Sequence, residues 1–158
     1  MTKIELHTEI KAPLTVCFDL SRSVELHQLS TAHTDEKAVA GRQSGLCEKG
    51  DTITWRAKHF GSYRTLQVRL TILTYPIFFE DQMVKGAFKS LKHQHYFREA
   101  GGVTHMYDIF KYETPYGLLG KVFNGLVLRR YMTRLLLQRN RYIREVAENG
   151  KWREIIRP

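Results

Sequence analysis

From Pro115 to about Glu148 the chain reads as one long amphipathic helix, and it follows roughly 110 residues that read almost entirely as short alternating strands. One helix must then cover one sheet. Where a sheet curls round a single long helix, the space between them is the natural place for a ligand.

At 158 residues the chain can bury a core without disulfides or metal. The patterning predicts one unit over residues 1–148 and a short C-terminal extension over 149–158. The apolar run after Pro13 is too short and interrupted for a signal peptide or a membrane span, so a cytoplasmic location is expected. Cys17 and Cys47 are then expected to be reduced, buried and inert. A net charge of +9 and a pI near 9.7 favour anionic partners: nucleic acid, an acidic lipid surface or anionic small molecules. The densest cations, Arg129, Arg130, Arg134, Arg139, Arg141 and Arg144, lie on the long helix and read as a solvated face. No helix-turn-helix or zinc-finger spacing accompanies them, so nucleic acid is not expected, whereas an anionic membrane surface stays open. No cofactor motif is present, and nothing in the sequence fixes an oligomeric state.

Lys3 to Ile10 alternates as a half-buried strand and stops before Pro13. A short helix over Leu14 to Ser21 and a second over Val24 to Leu29, capped by Ser23, interrupt the strands. Strands are then predicted over Glu36 to Val39, Asp51 to Phe60, Tyr63 to Tyr75 and Phe78 to Val84, with Gly61-Ser62 as a two-residue hairpin turn. Ser90 to Arg98 and Thr104 to Tyr112 follow, joined at Gly101-Gly102, and the order is that of an antiparallel meander. On the helix, Leu118, Leu119, Val122, Phe123, Leu126 and Val127, continued by Tyr131, Leu135, Ile143 and Val146, are expected to form its buried stripe.

A strand, two small helices, six more strands and a long terminal helix is the element order of the START-like superfamily, also called SRPBCC. Local segments resemble it too: Ile10-Lys11-Ala12-Pro13 before Val16-Cys17-Phe18, Gly45-Leu46, Gly50-Asp51 and Trp55. Asp81-Gln82, Gly86-Ala87-Phe88, His93 to Phe97, Thr104 to Asp108 and Tyr112 to Gly117 resemble a bacterial branch described only as ligand-binding SRPBCC proteins. The resemblance covers residues 1 to about 148. It implies an α+β helix-grip fold: a seven-stranded antiparallel sheet curled round a long C-terminal helix, holding hydrophobic ligands between them.

His93 and His95 are two apart in a strand and share a face with Leu91 and Phe97, which makes that face the interior one. A symmetric turn at Gly101-Gly102 sets His95 opposite Asp108, Phe97 opposite Met106 and Leu91 opposite Tyr112. A His95–Asp108 pair has three readings: a satisfied buried pair that fixes register, the polar anchor of an apolar pocket, or an acid–base dyad. His93, His95, Asp108 and Asp81 are metal-ligand types, but their spacing matches no metal motif and no metal is expected. Trp55, Phe79, Met83, Phe97, Met106, Phe110 and Tyr112 fall mostly at inward positions; they read as core, or as cavity lining together with Phe123 and Leu126. His59 is expected to point inward, and His27, His33 and His105 to be exposed or capping.

The function expected is the binding of a hydrophobic or amphipathic small molecule, such as a lipid, isoprenoid, quinone or polyketide-like compound. Two alternatives are a cyclase- or dehydratase-like enzyme using His95 with Asp108, and a basic protein-interaction module with a filled core and no cavity. No Gly-x-Ser-x-Gly, Walker or dinucleotide motif supports hydrolysis or hydride transfer.

Overall fold

Every alternating segment becomes a strand. A computed structural model describes residues 1–156 and contains β1 (Thr2–Ile10), β2 (Lys37–Gly41), β3 (Thr52–His59), β4 (Ser62–Thr74), β5 (Phe78–Lys85), β6 (Ser90–Ala100) and β7 (Val103–Glu113). Residues 157 and 158, the end of the predicted extension, lie outside the described residues. The strands form one antiparallel sheet in the order β1-β7-β6-β5-β4-β3-β2. The meander is thus unbroken from β2 to β7, and β1 joins its far edge.

The β6–β7 register is the predicted one. Gly101 and Gly102 both take positive φ, which a two-residue turn matched to strand twist requires, and the ladder runs without a bulge. His95 therefore faces Asp108, Phe97 faces Met106 and Leu91 faces Tyr112. The β3–β4 turn differs by one residue from the prediction. His59 pairs with Ser62, so Phe60-Gly61 makes the turn, and Phe60 itself adopts φ 52°. On β5, Asp81 pairs with His93 and Phe79 with His95.

Helices α1 (Leu14–Ser21) and α2 (Val24–Ser30) sit between β1 and β2. Helix α1 buries Val16, Cys17, Phe18 and Leu20, and Ser23 caps α2 by accepting a hydrogen bond from the Leu26 amide at 3.2 Å. Both thiols are buried. Burial pushes Cys17 up to about 11 and Cys47 to about 12, so both are protonated at neutral pH.

The terminal helix departs from the predicted pattern. It runs as α3 (Gly117–Phe123), a π-helical turn (Asn124–Leu128) and α4 (Arg129–Glu148). Leu128, Leu136, Arg139, Asn140, Ile143 and Val146 are buried on α4 and at its entry. Traced back by helical turns, that stripe meets Asn124 and Gly120, not the apolar residues between them. Gly120 is buried because its backbone lies against Pro115: a Cβ there would meet the Pro115 carbonyl oxygen at 1.9 Å. Leu118, Leu119, Val122, Phe123, Leu126 and Val127 are exposed, with Leu119 and Phe123 at the cavity and the others outside it. The expected single buried stripe is therefore split into a buried part from Leu128 onward and an exposed part before it. Arg139, expected on the solvated face, is buried.

After Gly150, a short α5 (Trp152–Ile155) returns to the body, where Trp152, Ile155 and Ile156 pack against the main core. No helix among the described residues is long and apolar enough to cross a membrane.

Candidate functional site

The helix does not fill the space it covers. Between it and the sheet is a cavity of about 910 Å³, within the usual range for small-molecule sites. Ile53, Trp55, Ala57, Leu66, Val68 and Leu70 of β3 and β4 form one wall. Leu128, Met132, Leu135 and Leu136 form the helical wall, and Phe60, Phe88, Tyr116 and Leu119 surround the mouth. The filled core expected of an interaction module is therefore absent.

Charged side chains interrupt the largely apolar lining at Arg22, Glu36, Asp51 and Arg64, and at one cluster that gathers two adjacent histidines. β5 and β6 bring Asp81, His93 and His95 to it, β7 brings Asp108, and α4 brings Arg139 and Asn140. The register predicts His95 with Asp108 and Asp81 with His93, but the hydrogen bonds run diagonally. His93 Nε2 lies 2.8 Å from Asp108 Oδ1, and His95 Nε2 lies 3.1 Å from Asp81 Oδ2. His95 Nδ1 stands 3.2 Å from Asp108 Oδ1 without making a hydrogen bond of good geometry. Asn140 Nδ2 donates to Asp108 Oδ2 at 2.7 Å. Arg139 donates to the Ser21 carbonyl and to Asn140 Oδ1, each at 3.0 Å, with its Nη1 3.7 Å from Asp108.

Burial alone would raise Asp108. The hydrogen bond from His93 and the close approach of His95 outweigh it and hold the carboxyl well below the usual range. Asp81 is lowered in the same way, its burial opposed mainly by His95. His93 goes down to about 4 because burial and the adjacent His95 outweigh the attraction of Asp108. At neutral pH the cluster holds two carboxylates, a neutral His93 and the Arg139 guanidinium. Phe79 stacks on His95 with ring centroids 4.0 Å apart, and His93 and His95 are 3.7 Å apart, so the imidazoles are fixed between aromatic faces.

Asp81, His93 and His95 each offer one ligand atom within 4.8 Å of the others, a donor set suited to a divalent cation. Asp108 is not part of it, because His93 and Asn140 occupy its oxygens. It would stand behind His93 as the outer carboxylate.

Solved structures share the overall fold. A protein from Thermus thermophilus superposes with a TM-score of 0.70 at 16% identity, covering 90% of this chain and 97% of that one. Ginseng major latex-like protein 151 from Panax ginseng gives 0.68 at 15%, covering 92% and 97%. StfQ, the di-domain ARO/CYC of the steffimycin biosynthetic pathway, gives 0.63 at 12%, covering 96% of this chain and 46% of that one. The chain shares the helix-grip fold of these proteins. No family model matches the chain, and no curated protein does.

In this helix-grip chain, Trp55, Phe79, Asp81, His93, His95, Phe110 and Phe123 line the cavity. The other predicted residues do not. Phe97 packs against Phe18 at 5.1 Å in the core beyond α1, and Met106 is buried under Ser21. Tyr112 is buried with its hydroxyl on Asn124, Met83 packs into the secondary core, and Asp108 sits behind the histidines. Leu126 is exposed outside the cavity. Alternation gave the correct face for these strand residues, but a face contains both cavity wall and solid core.

His59 points inward, with its Nδ1 against the Tyr131 hydroxyl. His27, expected to be exposed or capping, instead lines the cavity with its ring 4.1 Å from that of Trp55 and its Nε2 3.3 Å from Glu36. Its short helix turns that face toward β3. Glu36, expected only as the start of a strand, Tyr131, expected on the buried stripe, and Arg139, expected on the solvated face, also line the cavity. For Arg139 the signal existed: it lies between Leu136 and Ile143 at helical spacing. His33 hydrogen-bonds Gln138, and His105 pairs with His7 outside the cavity.

Proposed function

We propose that this protein binds one hydrophobic or amphipathic small molecule in the cavity, with the molecule's polar end at Asp81, His93 and His95. The observation that supports this most is a largely apolar space of about 910 Å³ with the Asp81–His93–His95 cluster on its surface. The cluster also bears on the polar end. Two carboxylates and a single guanidinium that is already hydrogen-bonded disfavour a carboxylate headgroup; Asp81 can accept a hydrogen bond from a hydroxyl or phenol. The candidates are therefore neutral oxygen-bearing molecules such as isoprenoid alcohols, quinols or polyketide-like phenols. The test is native mass spectrometry of gently purified protein, followed by uptake of the neutral fluorophore N-phenyl-1-naphthylamine. One molecule should bind per chain, and Ala57→Trp, which fills the wall, should weaken uptake at least about tenfold. A wild-type protein that carries nothing and takes up no probe would sink the reading.

A second reading, acid–base catalysis on a bound polyketide-like substrate, is favoured by one geometry. His95 lies between two carboxylates at the cavity surface, within 3.1 Å of Asp81 and 3.2 Å of Asp108. The bonded partner is then Asp81, with Asp108 orienting His93. His95→Gln should abolish turnover and leave binding of the probe intact.

A further inference from the structure

Exposed apolar side chains scattered singly need no explanation, but the start of the terminal helix exposes a contiguous group of them. Tyr116, Leu118, Leu119 and Leu126 are 71–84% exposed, and Val122 and Phe123 are exposed beside them. Phe60, at the tip of the β3–β4 turn, extends the group across the cavity mouth, its ring centroid 5.8 Å from that of Phe123. Helix packing does not require this exposure. The inward stripe is already supplied by Gly120, Asn124 and Leu128, so the outer leucines contribute nothing to the core.

The charge around the group is one-sided. Between Glu113 and Glu145 there is no acidic residue, while Lys121, Arg129, Arg130 and Arg134 are all exposed. A second copy docked on this face about a two-fold axis would bring those cations against their own counterparts with no carboxylate to compensate. An anionic bilayer offers both complements. Its hydrocarbon boundary accepts the leucines and Phe60, and its headgroup layer accepts the lysine and arginines.

We propose that Tyr116–Val127, together with Phe60, is a docking surface for anionic lipid bilayers that sets the cavity mouth against the membrane. The surface does not depend on what occupies the cavity. Docking there would let an apolar molecule pass between bilayer and cavity without crossing water, since the residues that surround the mouth are the residues that insert.

The test is co-sedimentation of the full chain with vesicles of phosphatidylcholine containing roughly one-third phosphatidylserine, at physiological salt. Wild type should bind, and pure phosphatidylcholine should lower partitioning at least about tenfold. Leu118→Glu with Leu126→Glu should lower it by at least about tenfold as well, while thermal unfolding and probe uptake stay at wild-type values. Arg129→Gln with Arg130→Gln should weaken binding several-fold more than Lys37→Gln with Lys49→Gln, which removes equal charge elsewhere on the surface. Three results would overturn the proposal: no wild-type binding, equal loss from the two charge pairs, or a solution dimer that the leucine substitutions dissociate while vesicle binding is absent.

Discussion

Asp108 and His93 are buried side by side, and both titrate abnormally for reasons that act together. Asp108 has a folded pKa below its unfolded value, so its stabilising effect is complete above about pH 4 and is lost as pH falls through the folded value. His93 has a folded value of about 4 against an ordinary 6.5, so the unfolded chain binds its proton first as pH falls. Stability is therefore complete above pH 6.5 and declines toward pH 4, by an amount on the order of 3 kcal/mol from His93 alone. Urea unfolding from pH 7.5 down to about 4.5 should show this decline. His93→Gln, though less stable at neutral pH because Asp108 loses a partner, should show a shallower slope. An equally steep slope in that variant would mean that His93 is not the group that titrates.

At the scale of elements, the π-turn decides where the terminal helix puts its side chains. Asn124 fastens it: the Tyr112 hydroxyl donates to Asn124 Oδ1 at 2.5 Å, and Asn124 Nδ2 donates to Thr2 Oγ1 at 2.7 Å. One side chain thus ties the helix to both β1 and β7. Asn124→Ala leaves the buried Tyr112 hydroxyl without its acceptor and should cost about 1–3 kcal/mol in urea unfolding, with faster amide exchange confined to α3 and the turn. Exchange rising uniformly would place the fastening elsewhere. The same element shows what the sequence made legible. Strands were readable because period-two alternation survives wherever one face is buried, and the β6–β7 register followed because Gly101-Gly102 admits one tight turn. The split of the helix stripe was not readable, because Leu118 to Val127 has perfect helical spacing and spacing carries no information about which side meets the sheet. At the site, His93, His95, Asp81 and Asp108 could be gathered from alternation, but their diagonal pairing could not, since it depends on side-chain reach across three strands. Arg139 and Asn140 were obscured by their chemistry: a basic helix reads as solvated until a buried carboxylate is known to face it.

At the scale of the whole molecule, two cores contribute walls to the cavity. One joins α1, α2 and α5 to the sheet around Phe18, Phe79 and Phe97; the other joins β1, β6 and β7 to the helix around Phe110, Tyr112 and Leu136. The walls between them have lost the dispersion contacts that a filled interior would supply, so a molecule entering the cavity completes the packing as well as finding its site. Binding and folding are then linked. A ligand present at about 100 times its dissociation constant adds about 2.7 kcal/mol to the unfolding free energy, which for a domain of this length is a rise of roughly 5–10 °C in Tm. N-phenyl-1-naphthylamine should raise the wild-type Tm in proportion to the logarithm of its concentration. The Ala57→Trp variant, whose larger side chain takes up part of the cavity at its wall, should show a smaller rise. If the probe binds the wild type and Tm does not move, the bound molecule lies on the exterior, and the exposed apolar surface at the mouth becomes its place.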